Sequence, residues 1–402
     1  MMKKFSAVAA FPESKKWENS ISRIMPIEYK LGDMRSNFSR DYNRILHCTA
    51  YRRLRNKTQV FFSPKNEMIC TRIEHVNLVT SVSNTIASEL GLNSELTNAI
   101  AIGHDLGHAP FGHSGEHILN KKMQKMLGKR FWHEQNSFRV IDKIEILEDS
   151  NAQLNNLNLT YAVRDGILSH CGEINEKIVI PRNEFLDLEK IGYQHRPQPY
   201  TWEGCVVKVA DKISYLGRDI EDAVRMKILD QDQIDEFNKI LDESKIKHLN
   251  NTTLMHNFVV DLCENSSPEN GIRMSDNFRK VMDSVKAYNY KYIYDHKRLR
   301  TYEKYAELMI DSLIEYLVSV YDASDTLRNL NAEQAIYPTL PLAFANFISR
   351  YTVQQRDIFS KLKNKLLYDL NNQNDYIQAV FDFIASLTDR NATEYFEELT
   401  RF

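Results

Sequence analysis

AIAIGHDLGHAPFGHSGE, residues 99–116, is the stretch on which the reading of the chain turns. An apolar run ends at His104-Asp105. A glycine, His108, a Pro-Phe-Gly turn, His113 and Glu116 follow. Three histidines and two carboxylates thus fall within thirteen residues, in a chain of 402 that holds only twelve histidines. Such a density at the end of an apolar helix points to a metal or acid–base centre.

The rest of the chain has the composition to build a large core around that stretch, with 43% hydrophobic residues. Its 52 basic and 54 acidic residues leave a net charge of -2, so no global field directs it to nucleic acid or a membrane. Five scattered cysteines without a CxxC exclude a disulfide framework and a zinc–thiolate site, and imply reduced thiols in the cytoplasm. The opening MMKKFSAVAAFPESKK has too short an apolar part for a signal peptide. No apolar run reaches the roughly 18 residues of a membrane span. Few glycines and prolines favour long helices over a many-turned β fold.

Working outward, Ile73, Val76, Val79, Val82, Ile86 and Leu90 recur at spacings of three and four. They predict a helix over 71–90 that Gly91 stops. Ser94 is the expected cap of the next helix, which runs into His104-Asp105. Ser36 is the expected cap of a helix over 37–56, and Ser114 or Gly115 should open one reaching Met126. Further helices are expected over 133–147, 160–170 and 202–227. KTQVFFSPKNEMIC, residues 57–70, reads as a short β-hairpin about a Ser-Pro-Lys-Asn turn. The Asn-rich 148–159 reads as a loop and 172–200 as a long surface excursion. From Asp230 on the pattern is amphipathic helix, broken near Asn265–Asn270 and at Tyr337-Pro338. The expected organisation is an arm over 1–35, a catalytic core over 36–230 and a helical region over 231–402.

Four residues share one chemical logic: His75, His104, Asp105 and Asp211. His75 lies near the apolar stripe of its helix. Asp211 follows VVKVA and precedes Ile213 and Leu216, where a carboxylate is costly unless paired with a charge or a metal. Two imidazoles with two carboxylates suit one divalent ion, Mn, Mg, Fe, Ni or Zn. A buried ion-pair network is the alternative.

TRIEH at 71–75, GHDLGHAPFGHSGE at 103–116 and VADKISYLGRD at 209–219 resemble the HD-domain superfamily. More narrowly, they resemble the bacterial deoxyguanosine triphosphate triphosphohydrolases, relatives of an animal HD-domain dNTP triphosphohydrolase. The likeness covers roughly residues 35–230. It implies an all-α fold, an HD-domain helical core with a small β-hairpin and a helical C-terminal region that completes the pocket and an oligomer interface. It implies hydrolysis of a dNTP to deoxynucleoside and tripolyphosphate, with His75, His104, Asp105 and Asp211 as metal ligands. His113 becomes the catalytic histidine and Glu116 its partner. Arg72, His108, His133 and Lys212 become phosphate contacts. Tyr215 would crowd a ribose 2′-hydroxyl, while Asp219 and Gln59 would meet the 3′-hydroxyl. Tyr302 would line the nucleoside pocket.

The resemblance also implies a homo-oligomer (dimer, tetramer or hexamer) and allows an allosteric nucleotide or single-stranded DNA as a further ligand. The residues leave two rivals open. One is another HD phosphohydrolase, acting on a nucleoside monophosphate, a cyclic nucleotide or guanosine tetraphosphate. The other is a nucleotide-sensing regulator with little activity.

Overall fold

The structure is a computed structural model that describes residues 3–27, 32–62, 68–149, 151–171, 176–243, 251–355 and 361–401. It is predominantly helical, with a single two-stranded sheet among the described residues. Two compact units form. One is assembled from Met1–Leu46, Pro64–Asp105 and Leu159–Arg300, the other from His47–Ser63, Leu106–Asn158 and Thr301–Phe402.

The first unit is built on four helices. Arg72–Leu90 packs on Ser94–Gly103 and on Trp202–Arg225, and Tyr161–Leu168 packs on the last two. The stripe Val76, Val79, Val82, Ile86 and Leu90 is buried, as its spacing requires. Each such side chain contributes about 1.5–3 kcal/mol through burial. Thr71 opens the helix with a capping box completed by Glu74, and Gly91 closes it in the left-handed region at φ +83°. The following helix is capped by Asn93, whose side chain accepts from the N–H groups of Glu95 and Leu96; Ser94 is its first residue. Asn reaches both orphan N–H groups with a carbonyl oxygen, so it displaces the serine as cap. The N-terminal arm docks on this unit through buried Phe5, Ala9 and Ala10 and carries a short helix, Trp17–Ile21.

The second unit has its own core. Leu119, Met123, Met309, Leu313, Phe344, Val380 and Phe381 meet there. Helix Gln373–Ser386 packs on Gly112–Leu127 and on Leu340–Ile348.

Several expected elements differ. Ser36 caps its helix, accepting from Ser39 N–H at 3.0 Å, but helix Asn37–His47 breaks at Cys48 before Thr49–Arg53. The helix expected from Ser114 starts at Gly112. Residues 133–147 are helical only through Arg139, then close in a π-turn, Val140–Ile144. No strand forms over 57–62 or 68–70, and 63–67 lie outside the described residues. There the side chains make the tethers instead: Lys57 Nζ donates to the carbonyls of His108 and Ala385. The sheet is Ile146–Glu148 against Leu154–Asn156, antiparallel; its first strand begins in the end of the expected helix over 133–147, and its second lies in the segment expected as a loop. Its polar residues supply the turn. Asp149 Oδ1 accepts from the N–H groups of Asn151 and Gln153, at 2.8 and 3.0 Å. The expected excursion is irregular apart from a 3-10 turn, Leu188–Lys190, although Val179 and Leu188 are buried and 172–175 lie outside the described residues.

Candidate metal centre and histidine cluster

In the first unit, Ser94–Gly103 delivers His104 and Asp105, Arg72–Leu90 delivers His75, and Trp202–Arg225 delivers Asp211. His75 Nε2 lies 3.0 Å from Asp211 Oδ1 and 3.9 Å from Asp105 Oδ2. His104 Nε2 lies 3.5 Å from Asp105 Oδ1 and 3.8 Å from Asp211 Oδ1. Donors bound to one ion at about 2.1 Å stand about 3.0 Å apart at right angles and about 3.4 Å apart at the tetrahedral angle. His75, His104 and Asp211 each bring one donor atom within 4.8 Å of the others, a grouping that could hold one ion, while Asp105 borders it, facing His75 with Oδ2 and His104 with Oδ1.

Two details favour an ion over a plain salt-bridge network. His104 donates from Nδ1 to the Ala101 carbonyl at 2.7 Å, which leaves the Nε2 lone pair facing the carboxylates. That Nε2 is buried and has no hydrogen-bond partner. An acceptor aimed at two carboxylates is unfavourable without a cation between them. Burial pushes the His75 pKa down, but the hydrogen bond and charge of Asp211, with Asp105 behind, raise it overall. Burial likewise pushes Asp211 up, and the His75 hydrogen bond, with the neighbouring His104 and His75 rings, brings it down to about 2.

Arg72 is fully buried and its Nη1 donates to Asp105 Oδ2 at 2.7 Å. Its Nε and Nη2 are buried with no partner, so two donors stay available for a ligand oxygen. Lys212 is brought down to about 8 by burial and by the charges of Lys208 and Lys286. Tyr215 and Asp219 continue the face of the helix that carries Asp211. Asp219 Oδ2 accepts from Tyr294 OH at 2.5 Å, at the end of the π-turn Tyr290–Tyr294. Burial, then the Asp219 charge, holds the Tyr294 hydroxyl well above its ordinary pKa, so it stays a donor. Sequence reading missed Tyr294. A π-turn, commonly found at functional positions, carries no periodic signal in the chain.

The second unit gathers His108, His113, Glu116 and His133. Glu116, expected as the partner of His113, is instead hydrogen-bonded to His133, expected as a phosphate contact. Its Oε1 accepts from the His133 N–H and its Oε2 from His133 Nδ1, both at 3.0 Å, whereas His113 Nδ1 stands 3.6 Å away. The His108 ring stacks on His133 at 4.2 Å, and His113 meets both edge-on. Glu116 ionises well below the usual carboxylate range: burial opposes this, but the His133 charge, the nearby His113 ring, the His133 hydrogen bond and the His108 charge outweigh it. The His113 side chain is 62% exposed against 11% for His133, so His113 is the ring open to an incoming group.

The loop that presents these rings is tightly held. Gly107 N–H donates to Ser137 Oγ at 2.9 Å, and Asn136 Nδ2 donates to the Gly107 carbonyl at 2.6 Å. A Cβ on Gly107 would stand 2.0 Å from the Ser137 nitrogen, so only glycine fits. Buried Phe111 is strained at φ +63° and its N–H donates to Asp389 Oδ1 at 2.9 Å. Asp389 Oδ2 also accepts from the N–H and hydroxyl of Thr58, at 3.1 and 2.6 Å. Gln59 follows, with its side-chain oxygen buried and without a partner. Tyr302 stacks in parallel on Phe62 with ring centroids 4.6 Å apart, and burial pushes its hydroxyl up to about 12.

Comparison with known proteins gives the family of the chain. The HD domain family matches residues 72–216. A deoxyguanosinetriphosphate triphosphohydrolase-like protein of Caldanaerobacter subterraneus subsp. tengcongensis is 33% identical over 337 residues, 84% of this chain and 86% of that one. A like-named protein of Desulfatibacillum aliphaticivorans is 35% identical over 294 residues, 72% and 76% of the two chains. A third, from Rickettsia rickettsii, is 30% identical over 382 residues, 91% of each.

Proposed function

We propose that this chain, which belongs to the deoxyguanosinetriphosphate triphosphohydrolase-like family of HD-domain proteins, hydrolyses deoxynucleoside triphosphates to deoxynucleoside and inorganic tripolyphosphate. The HD domain and these relatives support a metal-dependent phosphohydrolase, and the finer assignment of substrate, product and residue roles is our reading. The observation that carries it is the quartet of buried His75, His104 and Asp105 with partly buried Asp211, around the unpartnered His104 Nε2.

In this reaction the oxygen of water bonds to the α-phosphorus, the bond from that phosphorus to the sugar 5′ oxygen breaks, and a proton reaches the departing oxygen. A divalent ion, when bound by the quartet, supplies Lewis acidity at the phosphate. Arg72, anchored by Asp105, offers Nε and Nη2 to phosphate oxygens in a fixed orientation. Lys212, with a pKa near 8, stays mostly cationic at neutral pH and adds positive charge. His113 is the proton carrier, and Glu116, itself braced by His133, orients it and stabilises its charged form. Tyr215 and Asp219 recognise the deoxyribose, with Tyr294 fixing the rotamer of Asp219.

The test is product analysis by anion-exchange chromatography of each dNTP with Mn or Mg. Tripolyphosphate with deoxynucleoside is the expected pair. Release of monophosphate or pyrophosphate instead would assign the chain to another branch of the HD phosphohydrolases. Turnover of GTP equal to that of dGTP would remove the role given to Tyr215.

A further inference from the structure

His170 is a buried histidine outside the quartet, and its local construction repeats that of His104. His104 stands just beyond helix Ser94–Gly103 and donates from Nδ1 to the carbonyl three residues back, that of Ala101. His170 stands just beyond helix Tyr161–Leu168 and donates from Nδ1 to the carbonyl three residues back, that of Ile167, at 2.6 Å. A carbonyl can only accept, so each bond fixes the same tautomer and leaves Nε2 with the lone pair. The two rings meet edge to face, with centroids 5.0 Å apart and planes at 75°. His75 and His104, both in the quartet, meet at 5.5 Å and 70°. A ring nitrogen of His170 also lies within 4.8 Å of an Asp105 carboxylate oxygen.

We propose that His170 is a positioning residue of the metal centre, strengthening cation binding from the Asp105 side. The proposal rests on the reading of the quartet as a metal site. A neutral imidazole lone pair beside a buried carboxylate is stabilised by a nearby cation or by a proton of that cation's hydration shell. Hydrogen bonding of Nδ1 to a main-chain carbonyl is the orienting contact typical of histidines that serve metals. A histidine kept only for packing needs no such match to its neighbour.

The test is equilibrium dialysis of Mn2+ against the full chain, with melting of the EDTA-treated protein measured alongside. His170→Phe keeps an aromatic ring but loses the lone pair, and should weaken Mn2+ binding about 10- to 100-fold. His170→Gln restores an acceptor and should stay within about threefold of the parent, on the same scale of second-contact effects. Affinity equal to the parent in His170→Phe, or a loss in His170→Gln as large as in His170→Phe, overturns the proposal. His104→Ala separates the two readings. It should abolish Mn2+ binding, and if it binds as the parent does, the metal-site reading itself has failed.

Discussion

At the scale of single residues the chemistry divides between groups that hold charge and groups that move it. In the proposed mechanism Glu116 is of the first kind, holding the charge that steadies His113, the proton carrier. Replacing it with Gln removes the charge that braces His113 and His133, and should lower kcat by about a hundredfold or more with little change in KM. Steady-state kinetics on dGTP would measure this. The same carboxylate contributes to stability with a definite sign. Its folded pKa is depressed, so its contribution is fully present above the usual glutamate value near 4.5 and is lost as pH falls below it. Urea denaturation of the parent and of Glu116→Gln should therefore differ at pH 7 and converge in strong acid. Much of the quartet was legible in the chain because buried carboxylates and histidines stand out against apolar neighbours. The tie between Glu116 and His133 was not. Seventeen residues separate them, and no helical period spans that gap. Tyr294 was hidden among many tyrosines, where an aromatic at helical spacing usually means core.

At the scale of elements, the loop from Gly107 to Gly112 is held by contacts rather than by regular structure. Asp389 accepts three hydrogen bonds from Thr58 and Phe111. Asp389→Ala strands those buried donors, and should cost about 3 kcal/mol by chemical denaturation. Gly107→Ala drives a methyl into the backbone at Ser137 and should be destabilising by a comparable amount or more. These contacts also explain where sequence patterning failed. Residues 57–62 alternate like a strand, yet Lys57 and Thr58 spend their polar groups on the loop and on Asp389. Asn-rich 148–159 lacks strand formers, yet the Asp149 turn is enough to pair two three-residue strands. The long helices were legible because their stripes run over many turns; the short elements depend on partners distant in the chain.

At the scale of the whole molecule, an ion that binds only the native state adds RT ln(1 + [L]/Kd) to its stability, about 2.7 kcal/mol at a hundred times Kd. Chelation should therefore lower the melting temperature, and Mn2+ titrated back should restore it; calorimetry would measure the shift. Asp211→Asn should melt at the same temperature with and without the ion. No helix among the described residues is long and apolar enough to cross a membrane.

The threefold interleaving of each unit also governs how the chain is made. The first unit has its last segment once Arg300 has been synthesised, whereas the second needs residues through the C-terminus. At translation rates of about 5–20 residues per second, the segments carrying His75, His104, Asp105 and Asp211 are all synthesised several seconds before the last segment of the unit carrying Glu116 and His133. For that interval the nascent chain holds all four proposed metal ligands but only part of the segments that build the unit carrying His108, His113, Glu116 and His133. On the proposed reading, capture of an ion would precede completion of the second unit during synthesis.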